Sequence, residues 1–258
     1  MGSVSYNFSG KTVLVTGASR GIGYAVAEAF LRAGAKTYIL SSGSGIKEAA
    51  AKLGKLGDAV DLRCDITDSA SVVAALTNIE RIDVLVNNAG LERITPLDDP
   101  NDEVEETFRR IVDINVVGTF LVTRHAIKKM ASGGRIIITG SIWSRTAVAE
   151  FSAYCASKHA NLGFMRSIAH ELGAKGINVN AVCPGWVKTE AAMLSLKNMS
   201  INTGRGEADL LNEITGAQVL DGLLKPEDMA PLYLFLASDG AKDITGQAYM
   251  LDRGEVMG

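Results

Sequence analysis

Ser141, Tyr154 and Lys158 are the residues in this chain whose types and spacing could do chemistry together. Tyr154 and Lys158 stand four apart, so on a helix they share one face a turn apart. A free phenol titrates near ~10 and is a poor base at neutral pH. An ammonium held beside it favours the phenolate and moves the group toward working range. The apolar run Arg135-Ile136-Ile137-Ile138-Thr139-Gly140 reads as a strand that stops at Ser141, and a helical pattern resumes near Ser152. A hydroxyl at the carboxyl end of such a strand is placed to hydrogen-bond an alcohol or carbonyl oxygen, because open parallel sheets put their chemistry there. By itself a Tyr/Lys pair is common on surface helices; the elements earlier in the chain give it meaning.

The first of these elements is a β-rich run, Lys11 to Thr16, followed at once by Gly17-Ala18-Ser19-Arg20-Gly21-Ile22-Gly23 and a helical pattern over Tyr24 to Ala33 that Gly34 closes. Small residues in a strand-to-helix turn let the backbone approach a pyrophosphate at the positive end of the helix. The next strand, Lys36 to Leu40, ends in Ser41-Ser42-Gly43-Ser44-Gly45. An acid at that corner would bind a ribose 2′-hydroxyl and signal NAD. Hydroxyls stand there instead, and the cationic Arg20 can reach the same corner, so the sequence leans to NADP(H) with NAD(H) possible.

A strand over Ala59 to Arg63 leads to Asp65, which either caps the following helix or meets an adenine amine. The unbroken apolar strand Ile82 to Val86 ends in Asn87-Asn88-Ala89-Gly90, a small polar turn beside where a cofactor's ribose would lie. Asp102 to Arg124 is predicted as one long helix with Asn115, a mediocre helix former, at its middle. The strand Ile177 to Val182 leads into Cys183-Pro184-Gly185-Trp186-Val187-Lys188-Thr189. Residues 191–224 have poor periodicity, and a lid over the site is expected across 187–224. A helix over Pro226 to Ala237 and a closing strand over Ile244 to Asp252 complete the chain. Strands alternate with helices throughout, without repeats or linkers. This implies an α/β fold, a doubly wound parallel sheet in three α/β/α layers, as a single domain over 1–258.

Composition narrows the classes of partner. The 258 residues are 47% hydrophobic and 21% charged, with a formal net charge of −3. That balance gives no electrostatic reason to expect nucleic acid or an anionic membrane. No apolar run approaches the roughly 20 residues that span a bilayer, and the first ten residues lack a signal pattern. Cys64, Cys155 and Cys183 are widely spaced, without a Cys-x-x-Cys pair, which points to a reducing cytoplasm. No His/Cys/carboxylate cluster suggests a metal.

Taken together, Thr16-Gly17-Ala18-Ser19-Arg20-Gly21-Ile22-Gly23, Asn87-Asn88-Ala89-Gly90, Asn115, Ser141, Tyr154-x-x-x-Lys158 and Pro184-Gly185 with Thr189 resemble the short-chain dehydrogenase/reductase family, over Lys11 to Asp252. The resemblance implies a Rossmann-like domain that moves a hydride between a nicotinamide cofactor and a carbonyl carbon. It implies that Tyr154 is the acid/base, that Lys158 lowers its pKa and holds the nicotinamide ribose, that Ser141 orients the reacting oxygen, and that Asn115 holds a relay water. Gly17, Ser19, Arg20, Gly21, Ile22, Gly23, Ser41, Ser42, Asp65, Ile66, Asn88, Ala89, Gly90, Pro184, Gly185, Val187 and Thr189 would, with Tyr154 and Lys158, bind the cofactor. One departure is Asp252-Arg253-Gly254 where the family commonly has Asp-Gly-Gly. A homo-oligomer, tetramer or dimer, is expected.

The family's substrate-facing positions fall here on Glu92, Arg93, Trp143, Phe151 and Trp186, beside Ser141 and Tyr154. Large rings favour a small to medium, cyclic or aromatic secondary alcohol or ketone. Glu92, Arg93, Arg145 and Glu150 either bind polar substituents or face solvent. An epimerase or dehydratase on the same fold and a dinucleotide-binding regulator without turnover are the alternatives; the compact length speaks against the former and the intact Ser141/Tyr154/Lys158 set against the latter.

Overall fold

The computed structural model describes residues 4–257; residues 1–3 and 258 of the expected 1–258 unit lie outside it. The described strands are β1 (Thr12–Thr16), β2 (Lys36–Ser41), β3 (Ala59–Arg63), β4 (Val84–Asn87), β5 (Arg135–Thr139), β6 (Asn178–Pro184) and β7 (Ala248–Leu251). They form one sheet in the order β3-β2-β1-β4-β5-β6-β7, and each neighbouring pair is parallel. The order reverses between β1 and β4, which opens a crevice at their carboxyl ends.

Helices cover both faces. On one, α1 (Gly21–Arg32), α2 (Gly45–Leu53) and α9 (Pro226–Ala237) pack on Val13, Val15, Ile39, Val86 and Ile137. On the other, α3 (Ser69–Leu76), α5 (Thr119–Ala126) and α6 (Ser152–Gly173) pack on Leu14, Leu40, Leu85, Ile136 and Ile138. With both faces covered, the central strands become continuous apolar runs, and every residue of β5 is buried.

The expected long helix over 102–124 is interrupted. α4 (Glu103–Val112) runs into a π-helical segment, Asp113–Gly118, before α5 begins. The cause is local: the Asn115 side chain is drawn into the core, and its main-chain carbonyl accepts from Thr119 Oγ1 at 2.8 Å. Such an extra residue in a turn is tolerated where side-chain bonds replace the lost ladder. α1 starts three residues earlier than the expected Tyr24, because its first turn is made of the glycines themselves.

Residues 191–224, expected to be irregular, contain α7 (Glu190–Thr203) and α8 (Glu207–Gly216). Thr189 caps α7 by accepting from Ala192 N at 3.1 Å, and Gly204 ends it in the left-handed region at φ 68°. β7 is shorter than the expected 244–252. Thr245 and Asn180 side chains take Val179 N and Gln247 N at 3.0 and 3.1 Å in place of a ladder. Arg253, the departure noted above, adopts a φ of 59° that a glycine would hold without strain.

At Gly118, a Cβ would lie 2.6 Å from Ile66 Cγ1. Replacing Gly118 with Ala therefore forces the π segment off the β3–α3 loop and is expected to destabilise the fold by about 1–3 kcal/mol. Thermal unfolding should show Tm lower by several degrees; an unchanged Tm would mean that Ile66 yields freely.

Candidate active site

The carboxyl ends of the strands open on a cleft of about 440 Å³. Its wall carries Gly17, Ser19, Arg20, Gly21, Ile22, Ser41 and Ser42 at one end, and Ser141, Trp143, Tyr154, Lys158 and Trp186 at the other. Asp65, Ile66, Asn88, Ala89, Gly90, Pro184, Gly185, Val187 and Thr189 line the stretch between. The structure thus brings into one crevice residues up to 172 positions apart in sequence, with three exceptions. Gly23 packs beneath the turn, where a Cβ would meet Gly17 O and Asn88 Nδ2 at 2.5 Å. Asn115 lies behind the wall. Phe151 sits behind Trp143, ring centroids 5.1 Å apart, and supports the wall rather than facing the cleft.

The residues at the β1–α1 turn fit a dinucleotide. Gly21 holds φ 60°, and a Cβ at Gly17, φ 65°, would fall 2.7 Å from Ala89 Cα, so the two strand ends can approach only without side chains. Arg20 at the N-cap of α1 is extended and makes no side-chain cap bond, and the first turn holds no acid. The amide dipoles at the head of α1 are therefore turned to the cleft with no acid in the helix's own first turn to compete, an arrangement that suits a pyrophosphate. Asn88 Nδ2 donates to Thr16 O and Gly17 O at 3.2 and 3.3 Å, while Thr16 Oγ1 accepts from Asn88 N and Ala89 N at 3.0 Å. Thr16, which sequence reasoning passed over, ties the glycine turn to the Asn88–Gly90 turn.

At the adenosine end, Asp65 does not cap α3; Asp68 does, accepting from Ala70 N and Ser71 N. Asp65 Oδ1 accepts from Thr67 N and Oγ1 at 3.0 and 2.7 Å, with Arg110 Nη2 3.8 Å from Oδ2. Thr67's hydrogen bonds, and to a lesser degree Arg110, hold its carboxyl below the usual range. The Ser41 and Ser19 hydroxyls lie 3.4 Å apart beside it. Arg20 Nη1 is 3.3 Å from Glu190 Oε2 at the start of α7, both side chains exposed.

At the reaction end, Lys158 is buried and its Nζ donates to Thr139 O at 2.8 Å, at the last residue of β5. Burial pushes the ammonium down to about 8. The Nζ stands 5.5 Å from the Tyr154 ring centroid. In this arrangement Tyr154's phenol is raised above its ordinary value, first by burial and then by the Glu92 charge, with Ser141's hydrogen bond acting against both. Trp143 packs edge-on against Tyr154 at 5.9 Å. Ser141 Oγ accepts from Trp143 N at 3.2 Å, which fixes the hydroxyl at the head of the turn.

Behind this wall, Asn115 is fully buried. Its Oδ1 accepts from Leu91 N at 2.7 Å, and its Nδ2 donates to Leu91 O at 3.0 Å and Ser157 Oγ at 2.9 Å. The π segment thus splices the loop after β4 to α6. A Cβ built on Gly90 would lie 3.4 Å from Asn115 Oδ1 and 3.7 Å from Lys158 Nζ, so the missing side chain leaves the two groups open to the same small space. Ser157 and Thr139 are parts of the site that the sequence reading missed. Thr139 contributes through its main-chain carbonyl, for which residue type gives no signal.

Among the described residues no helix is long and apolar enough to cross a membrane, and no group of three or more His, Cys, Asp or Glu could hold a metal.

The profile of the family described as enoyl-(acyl carrier protein) reductase matches residues 17–255. Oxidoreductase UcpA of Salmonella typhimurium is 37% identical over 96% of this chain and 95% of its own. The 3-oxoacyl-(acyl-carrier-protein) reductase FabG of Rickettsia bellii is 34% identical over 97% of this chain and 99% of its own. A short chain dehydrogenase from Burkholderia cenocepacia in complex with NADP superposes with a TM-score of 0.84 at 29% identity, covering 96% of this chain and 99% of that one. The chain belongs to the short-chain dehydrogenase/reductase family and is an oxidoreductase of the NAD(P)-dependent type.

Because burial holds Lys158 near 8 rather than at the ordinary 10.5, the unfolded chain keeps a proton at this lysine through that window which the folded protein releases. Stability from the group therefore rises with pH between those values and carries the desolvation penalty below them. In thermal melts, wild type is expected to gain stability relative to Lys158→Met as pH goes from 8 to 10. A constant difference would mean that the ammonium is not desolvated.

Proposed function

We propose that the protein transfers a hydride between NADP(H) and a small to medium, cyclic or aromatic, secondary alcohol or ketone, with Ser141, Tyr154, Lys158 and Asn115 as its catalytic group. The observation that carries this reading is the convergence of Ser141, Tyr154 and buried Lys158 on one wall of a cleft whose other end fits a pyrophosphate. The chain then works as one dinucleotide-binding and catalytic domain, with 187–224 as its lid.

A nicotinamide cofactor bound in this cleft supplies or takes up the hydride. The chain's own residues manage the oxygen and the proton. Ser141, fixed by Trp143 N, donates to the substrate oxygen and holds it against Tyr154. Tyr154 gives its phenolic proton to that oxygen in reduction and removes it in oxidation. The dry surroundings that raise the phenol keep it protonated, which suits donation; a cation brought close favours the phenolate needed for oxidation. Lys158 is that cation on the protein's side, anchored by Thr139 O. Asn115 holds open the space beside Lys158 through which a proton is replaced.

Arg20 with the hydroxyls of Ser41 and Ser42 supports NADP(H) over NAD(H), since a 2′-phosphate would take the guanidinium from its exposed pairing with Glu190. The NADP-bound relative from Burkholderia cenocepacia supports the same preference, and the name of the Rickettsia bellii relative supports reduction of a ketone. Trp143 and Trp186 on the cleft wall support a ring-bearing substrate. Phe108 and Phe120 on α4 and α5, with Val117 between them, are exposed large apolar residues and support a homo-oligomer, tetramer or dimer. Composition supports a cytoplasmic location without nucleic-acid or membrane partners.

Substituting Tyr154→Phe is expected to lower kcat about a hundred- to ten-thousand-fold while NADPH binding, read by its fluorescence, is retained. Unchanged turnover would remove Tyr154 from the mechanism. Substituting Arg20→Ala is expected to raise KM for NADPH about tenfold and leave KM for NADH within twofold. An equal effect on both cofactors would overturn the NADP(H) preference.

A further inference from the structure

Glu92 is a carboxylate in the wall of the reaction cleft that the proton chemistry described above does not use. Its place is fixed from both sides. The preceding residue, Leu91, is clamped through its N–H and C=O by the Asn115 amide, and the Glu92 side chain lines the cleft with Ser141, Trp143, Tyr154 and Trp186. Both groups line the same cleft, and after burial its charge is the next cause that raises the Tyr154 phenol.

Its partners are few. Ser195 Oγ, on α7, donates to Oε1 at 3.0 Å. Arg93 is turned away, with its Nη1 donating to the Glu92 main-chain oxygen at 2.7 Å. Among the described residues no Lys, Arg or His nitrogen lies within 4.0 Å of the carboxylate. Burial raises its carboxyl, and Ser195, Lys158 and Arg93 only partly offset that. A half-buried carboxyl with one hydroxyl partner and no paired cation keeps acceptor positions free for a ligand in the cleft. A hydroxyl can complete the carboxyl's hydrogen bonds in either protonation state, donating to the carboxylate or accepting from the acid, whereas an anionic substituent would be repelled by the carboxylate.

We infer that Glu92 is the specificity-determining residue for a second hydroxyl on the substrate, set a few bonds from the reacting carbon, and that it turns the cleft against substrates carrying a carboxylate at that position. Ser195 makes the same carboxyl a link to α7, so a substrate hydroxyl bound there is shared with the lid. This rests on the hydride-transfer reading for the identity of the reacting carbon, and not for the presence of the subsite.

The chain's two tryptophans, Trp143 and Trp186, both line the cleft, so intrinsic fluorescence reads binding without turnover. Affinities of trans-1,2-cyclohexanediol and cyclohexanol are measured with the full-length protein saturated with NADP+, for wild type, Glu92→Leu and Glu92→Gln. The wild type is expected to bind the diol about tenfold more tightly, the value of one well-made hydrogen bond. Glu92→Leu should bring the ratio near one, and Glu92→Gln, whose amide still bonds a hydroxyl, should keep most of it. A ratio near one in the wild type, or an unaltered ratio in Glu92→Leu, would overturn the inference. Should Glu92→Leu not fold, the Gln variant decides by 2-hydroxycyclohexanecarboxylate: removal of the charge should tighten its binding about tenfold, and no gain overturns the inference. NADPH formation is followed in the same samples. Diol selectivity without turnover would leave the subsite standing and remove the hydride-transfer reading.

Discussion

The buried ammonium of Lys158 is the constraint on which the rest of the site depends. A buried ammonium is costly, and among the described residues this one donates to the carbonyl of Thr139, where β5 ends. That hydrogen bond ties α6, whose Leu162, Met165 and Leu172 pack on the same face, to the end of β5. Tyr154, one turn earlier, is thereby fixed over the cleft, and Ser141, two residues beyond Thr139, is brought up to it from the other side. Thr139's hydroxyl is in turn 2.7 Å from Tyr233 OH on α9, so the end of β5 is joined to helices of both faces beside the proposed catalytic group. The π segment serves the same end. It gives up regular helix in order to bury Asn115, which locks the loop after β4 onto α6 through Leu91 and Ser157.

Much of this was legible in the sequence. The apolar runs of β1, β4 and β5 read as strands and are buried parallel strands, and Tyr154 and Lys158, four apart, share α6. The glycines of the β1–α1 turn read as room for a pyrophosphate, and the structure shows them also making room for Asn88 and Ala89; Gly21 to Gly23 hid the start of α1, because glycine opposes helix on propensity. Asn115 was visible as a misfit in a helical run, but the direction in which the misfit would be resolved was not, since that depends on Leu91, 24 residues earlier. What could not be read were contacts made by main-chain atoms or across long separations. Thr139's carbonyl and the Ser195–Glu92 bond, 103 residues apart, are of that kind. Trp143 and Phe151 were both expected on the cleft wall; Trp143 lines it, and Phe151 packs against that ring, out of the lining.

The segment 187–224 touches the site at both of its ends. Thr189 lies 3.5 Å from where a Gly21 Cβ would stand, and Glu190 pairs with Arg20 at the pyrophosphate end. One turn further along the same helix, Ser195 reaches Glu92 at the reaction end. α7 therefore spans the cleft from the cofactor turn to the substrate wall, joined to each by one polar contact weak enough to break. An exposed pair and a single hydroxyl bond are what a segment needs if it is to open for a ligand and settle again over it.

Label transfer from a nicotinamide cofactor deuterated at C4 tests hydride delivery beside Tyr154 most directly. With cyclohexanone or 2-hydroxycyclohexanone as acceptor in ordinary water, the product is expected to carry one deuterium at the carbinol carbon. With unlabelled cofactor in D2O, no deuterium is expected at the carbinol carbon, because only the hydroxyl exchanges with solvent. Deuterium reaching the carbinol carbon from solvent, or a bound cofactor that passes no label to either ketone, would contradict it.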